Sequence, residues 1–328
     1  SLKLDGSRII NLSPCIRRLK LWRMRFFVEK IRDIKEVSKK ISQRWRKNFT
    51  NGNPKYALFL YRFLGLPIIF KLFTFGVNFL ISKRPNNDLI KILNDEKPDI
   101  LMHPSILSGM YIDDLIFYGN KINIPVIILM NSWDNPVSKR SVVNKNYHLL
   151  VWGPQTKNHA IKYMGLSEKN VLEFGSAQFD IYNSVDSENS DILRKKYRFK
   201  KNEKILLYAG SSKYTDEFSH LKKIDEAINK GSLPKISVIY RPHPWGRCGF
   251  DGDRFKDYKF TNVVFDLNMR DYIFRDFKKE SARVLPPLKP TNDLLKFVDI
   301  VLSPLSTILL ESMMVGNIPI CLLADQEK

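Results

Sequence analysis

The chain has 328 residues and carries 54 Lys and Arg against 34 Asp and Glu, a formal net charge of +20. A hydrophobic content of 44%, with 21 Phe, 13 Tyr and 5 Trp, excludes a disordered chain, and the length suffices for about two domains. Cys15, Cys248 and Cys321 lie far apart with no Cys-x-x-Cys pair, which excludes a disulfide scaffold and a zinc ribbon and fits a reducing compartment.

The chain opens at Ser1 without a secretory pattern and closes at Lys328 just after an apolar run, so a piece of a longer protein is expected. Residues 1–50 hold 15 Lys and Arg but only 4 Asp and Glu, a net of +11, leaving +9 for the rest. Ile16, Leu19, Trp22 and Phe26, then Ile31, Ile34, Val37 and Ile41, recur at helical spacing. Arg17, Arg18, Lys20, Arg23 and Arg25 surround the first set, which reads as a basic amphipathic helix. Tyr56 to Ile81 is dense in Leu, Phe and Ile, but Arg62 and Lys71 interrupt it and Pro67 would bend it. Two short helices are expected, either packed on a sheet or lying in a membrane interface. Residues 1–97 thus form a basic, apolar, helical segment that is part of the first domain or appended to it. The partner expected for the basic face is an anionic membrane surface; no nucleic-acid motif is present.

From residue 98 short, often β-branched apolar runs alternate with helical stretches. Asp99–His103, Pro125–Asn131, His148–Trp152 and Val171–Gly175 read as buried strands. A charged stretch, Ser184 to Lys204, reads as a linker containing a helix. A second set follows: Ile205–Ala209, Ile236–Tyr240, Val263–Asp266, Asp299–Leu302 and Ile318–Leu323. This is the rhythm of parallel sheets, and it predicts an α/β protein with a first Rossmann-like domain over 98–183, a linker over 184–204 and a second Rossmann-like domain over 205–328. Ligands of such sheets bind beyond the carboxyl ends of the strands.

The residues after the strands were therefore weighed for chemistry. Ile236–Tyr240 runs into Arg241-Pro242-His243-Pro244, where a guanidinium fork and an imidazole held by stiff prolines suit an anion; a proline-rich turn around a buried His is the plainer alternative. Asp299–Leu302 leads into Ser306 and Thr307 at a helix start, which suits a phosphate or serves as an ordinary N-cap. Glu311, one turn further in, could accept from a ribose diol or be a solvated helix position. Ser211 and Ser212 follow Gly210 in a small-residue turn after Ile205–Ala209. In the first domain Trp133, Asp134, Asn135 and Lys139 cluster after Pro125–Asn131. Asp134 is a candidate general base there, with an Asx turn as the alternative. His103, after Asp99–Met102, is a second base candidate. Asp113 and Asp114 begin a helix, and Gln178 and Asp180 follow Gly175 near the expected hinge.

Taken together these segments resemble bacterial envelope-polysaccharide glycosyltransferases of the GT-B fold, including the CDP-glycerol glycerophosphotransferases. Those carry an Arg-x-His-Pro element, matched by Arg241 to Pro244, and a late Ser-Ser or Ser-Thr pair, matched by Ser306 and Thr307. Their first domain carries Trp-His-Gly-Thr-Pro-Leu-Lys; Trp133 and Lys139 match, but Asp134 stands where the family has its catalytic His. Glu311 is more similar to the ribose-binding Glu of nucleotide-sugar enzymes. The resemblance covers about residues 98–324.

It implies two Rossmann-like domains facing a cleft and a metal-independent glycosyltransferase at the cytoplasmic membrane face. Its donor would be a nucleotide sugar and its acceptor lipid-linked or a surface glycan, with no cofactor and no metal. Arg241, His243, Ser306, Thr307, Ser211 and Ser212 would hold the donor phosphates and Glu311 the ribose. Asp134 or His103 would be the base. Trp133, Asn135, Lys139, Gln178 and Asp180 would line the acceptor side. The alternatives are a CDP-glycerol glycerophosphotransferase, a nucleotide-sugar epimerase that needs no acceptor, and a non-catalytic membrane-surface binding protein.

Overall fold

The computed structural model describes residues 12, 20–33, 42–43, 55–105, 111–138, 142–184, 187–211, 215–244, 252–269 and 287–323. The chain divides into two compact units, Ser1–Ser176 and Ala177–Lys328.

The first unit opens with helices α1 (Lys20–Arg32), α2 (Lys55–Leu64), α3 (Pro67–Ser82) and α4 (Asn87–Glu96). The apolar stretch is two helices, as expected, bent by 92° where Pro67 takes the first position of α3. Leu66 before it is extended, the conformation a following proline imposes. Among the described residues no single helix is long and apolar enough to cross a membrane. Helix α1 holds the later part of the expected basic helix. Arg25, expected on its outer basic face, is instead buried against Glu29 at 3.1 Å. Arg17, Arg18, Ile34, Val37 and Ile41 lie outside the described residues.

The first sheet follows: β1 (Leu101–Ser105), β2 (Val126–Met130), β3 (His148–Val151) and β4 (Val171–Glu173). All pairs are parallel and the spatial order is the sequence order, β1-β2-β3-β4. Helix α5 (Ile112–Lys121) joins β1 to β2, and α6 (Asn135–Ser138) and α7 (Pro154–His159) flank β3. A Cβ on Gly119 would lie 2.5 Å from a Val126 methyl, so glycine is what lets α5 sit this close to β2. The core gathers Ile116, Ile128, Leu149 and Val151. Asp113, buried in the first turn of α5, accepts from the Val143 N–H at 2.8 Å and ties residues 142–143 down.

The second unit opens with a 3₁₀ segment (Ala177–Asn183) and α8 (Ser190–Tyr197). The segment 184–204, read from sequence as a linker, carries α8, whose Leu193 and Tyr197 enter the second core. Then come β5 (Lys204–Ala209), α9 (Glu217–Asn229), β6 (Ile236–Arg241), α10 (Gly252–Asp257), β7 (Val263–Phe265), α11 (Leu288–Phe297), β8 (Ile300–Pro304), α12 (Thr307–Met314) and β9 (Ile318–Leu322). All are parallel, in the order β7-β6-β5-β8-β9. Side chains of β5 alternate between two apolar layers. Ile205, Leu207 and Ala209 pack with Leu294, Leu295 and Leu309, and Leu206 and Tyr208 with Phe218, Leu221 and Tyr240. This is the doubly wound arrangement, with the strand order reversing between β5 and β8. The expected α/β class with two parallel Rossmann-like sheets is what the chain adopts, each strand within two residues of its predicted place.

Candidate functional site

The reversal places the carboxyl ends of β5 and β8 side by side, because those strands are hydrogen-bonded neighbours whose crossovers leave in opposite directions. After β5 come Gly210 and Ser211; Ser212 lies outside the described residues. A Cβ on Gly210 would sit 2.5 Å from the Glu217 carboxylate, so the glycine makes room for that carboxyl. Glu217 opens α9, is buried, and accepts from the Ser211 N–H at 2.8 Å and from the Tyr240 hydroxyl. Burial pushes its carboxyl up to about 7, while the two donors pull the other way. Beside it the Tyr208 hydroxyl and His220 Nδ1 are hydrogen-bonded at 2.9 Å. Sequence reasoning missed Glu217 because it reads as an ordinary first-turn acid, next to Asp216, which does cap α9 by accepting from the Ser219 N–H.

Arg241 ends β6 and is buried. Its guanidinium donates to the Asp266 carboxylate and, at 2.7 Å, to Thr291 Oγ1. The fork is thus turned inward and ties the end of β7 to α11. Its charge still acts on Tyr182, His243 and Glu311. Asp266 follows its strand directly and the strand-end rule could have flagged it; Thr291 carries no sequence signal. His243 is half-buried, and burial together with the Arg241 charge holds its ring down at about 4. At neutral pH it is an uncharged imidazole that offers one N–H and one lone pair.

Ser303, at the end of β8, is fully buried and its hydroxyl has no hydrogen-bond partner. Ser306 takes the N-cap position of α12 with φ −149° and ψ 158°, yet its side chain makes no capping bond. The ordinary N-cap alternative therefore does not describe it: the hydroxyl and the first N–H groups of α12 remain for something else. Thr307 is the first helical residue. Glu311, one turn on, accepts from the Tyr182 hydroxyl at 2.8 Å. Burial raises the Glu311 carboxyl, while that hydroxyl and the Arg241 charge lower it in part. The phenol of Tyr182 is itself raised, first by burial and then by Glu311. Glu311 is thus a partnered, inward-held carboxylate. The segment carrying Gln178 and Asp180 supplies Tyr182 to the site, whereas Gln178 and Asp180 are exposed. A bond between residues 129 apart in sequence leaves no local signal.

The first unit treats its candidates differently. Asp134 accepts from Ser132 Oγ at 2.6 Å and from Ser138 Oγ at 2.7 Å, so both carboxylate oxygens serve the turn that starts α6. Trp133 is exposed. Asn135 is buried, and its amide Nδ2 has no hydrogen-bond partner. Lys139 lies outside the described residues. His103 does not follow a strand: β1 runs on to Ser105 and His103 sits within it, opposite Ile128. Pro104 is tolerated there because β1 is the edge of its sheet. Among the described residues no group of three His, Cys, Asp or Glu side chains is placed to hold a metal ion.

No family model matches this chain, and no curated protein matches it by sequence. Solved structures do. A Listeria monocytogenes protein assigned as a UDP-N-acetylglucosamine 2-epimerase aligns at a TM-score of 0.50 and 10% identity, over 74% of this chain and 61% of its own. The UDP-GlcNAc 2-epimerase of Neisseria meningitidis, bound to UDP-GlcNAc, aligns at 0.43 and 13%, over 93% and 81%. The wall teichoic acid polymerase TagF aligns at 0.40 and 12%, over 67% and 53%. The chain thus spans about three fifths of the Listeria protein's length. The likeness to the Listeria protein shows the fold: this is a GT-B-type α/β chain, the form shared by nucleotide-sugar epimerases and by TagF.

The comparisons correct the expected activity. The two-sheet form on which transfer of a sugar or of glycerol phosphate was expected recurs in UDP-GlcNAc 2-epimerases. The reading as a transferase acting on a lipid-linked or glycan acceptor is therefore withdrawn.

Proposed function

We propose that the second unit binds the nucleoside diphosphate of a nucleotide sugar and that the protein turns over that nucleotide sugar unaided by an acceptor, as a nucleotide-sugar epimerase does. The observation that carries this reading is the convergence of uncommitted and inward-held polar groups at the β5–β8 reversal. There the free hydroxyl of Ser306 and the start of α12 face the ends of the strands, and Glu311 is fixed by Tyr182 beside the Arg241 charge. The exposed N–H groups of a helix start favour a phosphate. A neutral His243 adds a donor without a competing charge. Glu311, oriented by Tyr182, keeps acceptor capacity for a pair of sugar hydroxyls. The UDP-GlcNAc 2-epimerase assignment of the Listeria protein supports a UDP-sugar as the first ligand to try.

The test is a calorimetric titration with UDP and UDP-GlcNAc, followed by proton NMR of the nucleotide sugar after incubation with the protein and no acceptor. UDP should bind, Glu311→Gln should weaken it by about tenfold, the loss expected for a hydrogen bond to a charged group, and a second sugar epimer should accumulate. A protein that melts cooperatively but binds no nucleotide overturns the site. A protein that binds UDP and leaves UDP-GlcNAc unchanged overturns the epimerase reading for that sugar.

A further inference from the structure

Helix α3 has two apolar faces. One bears Phe70, Val77 and Ile81, which are buried; Val77 and Ile81 pack with Val143 of the same unit. The other bears Ile68, Leu72, Phe75 and Phe79 at spacings of four, three and four, a single stripe along the helix. That stripe is bare: Ile68 is 74% exposed, Leu72 67% and Phe75 72%. Helix α2 and the turn after it extend it with Phe59, Leu60, Phe63 and Leu66, all exposed. Isolated exposed apolar side chains are normal on a protein surface; eight within 21 consecutive residues are not.

The charges around the patch indicate what covers it. Residues 55–85 contain Lys55, Arg62, Lys71, Lys83 and Arg84 and no Asp or Glu. Arg62, Lys71, Lys83 and Arg84 are exposed. Two copies meeting through this patch would bring cations against cations with no local acid to offset them. An anionic lipid surface supplies both the apolar layer and the opposite charge. The first 50 residues add a further net +11.

Length decides between lying in and crossing. Helix α3 has 16 residues, about 24 Å at 1.5 Å per residue, against a hydrocarbon core of about 30 Å. The 92° bend prevents α2 from extending it in line, and the opposite face of α3 is occupied by protein.

We infer that α2 and α3 form a one-sided membrane-docking surface, on which Phe59, Phe63, Ile68, Leu72, Phe75 and Phe79 enter the interface of an anionic bilayer while Arg62, Lys71, Lys83 and Arg84 meet its headgroups. The surface lies apart from the strand ends of the second unit and does not depend on the epimerase reading.

The experiment is co-sedimentation of the full chain with phosphatidylcholine vesicles, with and without about 30% phosphatidylglycerol, at low and at about 0.5 M salt. The wild type should bind anionic vesicles at least tenfold better than neutral ones, and salt should weaken that binding. Leu72→Ser with Phe75→Ser should lower it by about tenfold or more. Lys71→Glu with Lys83→Glu should remove most of the preference for anionic lipid. All four positions are exposed, so the variants should keep the wild-type melting temperature, and UDP affinity measured beside them reports separately on the second unit. Absent vesicle binding by a folded wild type, or equal binding by both variants and the wild type, overturns the inference. A dimer that dissociates in the Leu72→Ser, Phe75→Ser variant, without vesicle binding, assigns the face to a second copy instead.

Discussion

The two sheets use the same kind of strand and reach different ends. In the first, spatial order follows sequence order, β1-β2-β3-β4; in the second it reverses, β7-β6-β5-β8-β9. A sheet wound in one direction has no point where neighbouring crossovers part, and a reversing sheet has one by construction. The polar residues follow suit. At the head of β2, Asp134 spends both oxygens on serines within four residues of it. In the second unit Glu217, Arg241 and Glu311 sit on different elements and are held by Tyr240, Asp266 and Tyr182 from other parts of the chain. A cluster of promising side chains in sequence is therefore weaker evidence of a site than a topology that leaves strand ends open.

The sharpest way to break this contrast is to cut the long-range network at its centre. Arg241→Ala leaves Asp266, which is fully buried, without its cation. Removing one partner of a buried pair costs about 3–5 kcal/mol, much of it the stranded charge. Urea unfolding should show that loss. A change under about 1 kcal/mol, the value of a surface pair, would mean that the second unit's polar residues are as local in effect as those of the first.

The second unit also makes an opposed pair of pH responses. Glu217 is raised from 4.5 to about 7, so its contribution to stability is whole below 4.5 and is lost as pH rises through about 7. His243 is lowered from 6.5 to about 4, so its contribution is whole above 6.5 and is lost as pH falls toward 4. Between those limits the two slopes oppose each other. Glu217→Gln should make the protein lose stability more steeply from pH 8 to pH 5, by about 2 kcal/mol relative to wild type. His243→Gln should tilt the curve the other way. Parallel curves for the wild type and both variants would remove both groups from the buried network.

The strands were legible because a strand buried on both faces must be a short apolar, β-branched run, and the break at Pro67 because proline cannot continue a helix. The end of β1 was misread: Pro104 looked like a stop, but an edge strand tolerates a missing N–H, so His103 lies inside the ladder. At the candidate site Glu311, His243 and Ser306 were legible from their places after strands. Their partners were not, since Tyr182, Asp266 and Thr291 meet them only through the fold. Arg241 shows the cost of that blindness: a guanidinium after a strand suggested a phosphate clamp, and the structure turns its fork inward onto Asp266 and Thr291.

The smallest predicted effect tests the other half of the contrast. Asp134 accepts two serine hydroxyls, and its backbone carbonyl accepts from the N–H groups of Val137 and Ser138 at 3.1 and 2.8 Å. That is the work of a capping residue, and replacing one by Ala costs about 0.5–2 kcal/mol, with the low end expected for a helix of four residues. Asp134→Ala should therefore shift the urea midpoint slightly and leave UDP affinity unchanged, because the nucleotide site is built wholly from the second unit. Asp134→Asn, which keeps one acceptor oxygen, should recover part of the lost stability. If turnover of a nucleotide sugar instead falls a hundredfold while stability and UDP affinity hold, the carboxylate leaves its serines to act on the sugar. The first sheet would then contribute reacting groups from a local turn, and strand reversal would account for where the nucleotide binds but not for where the chemistry occurs.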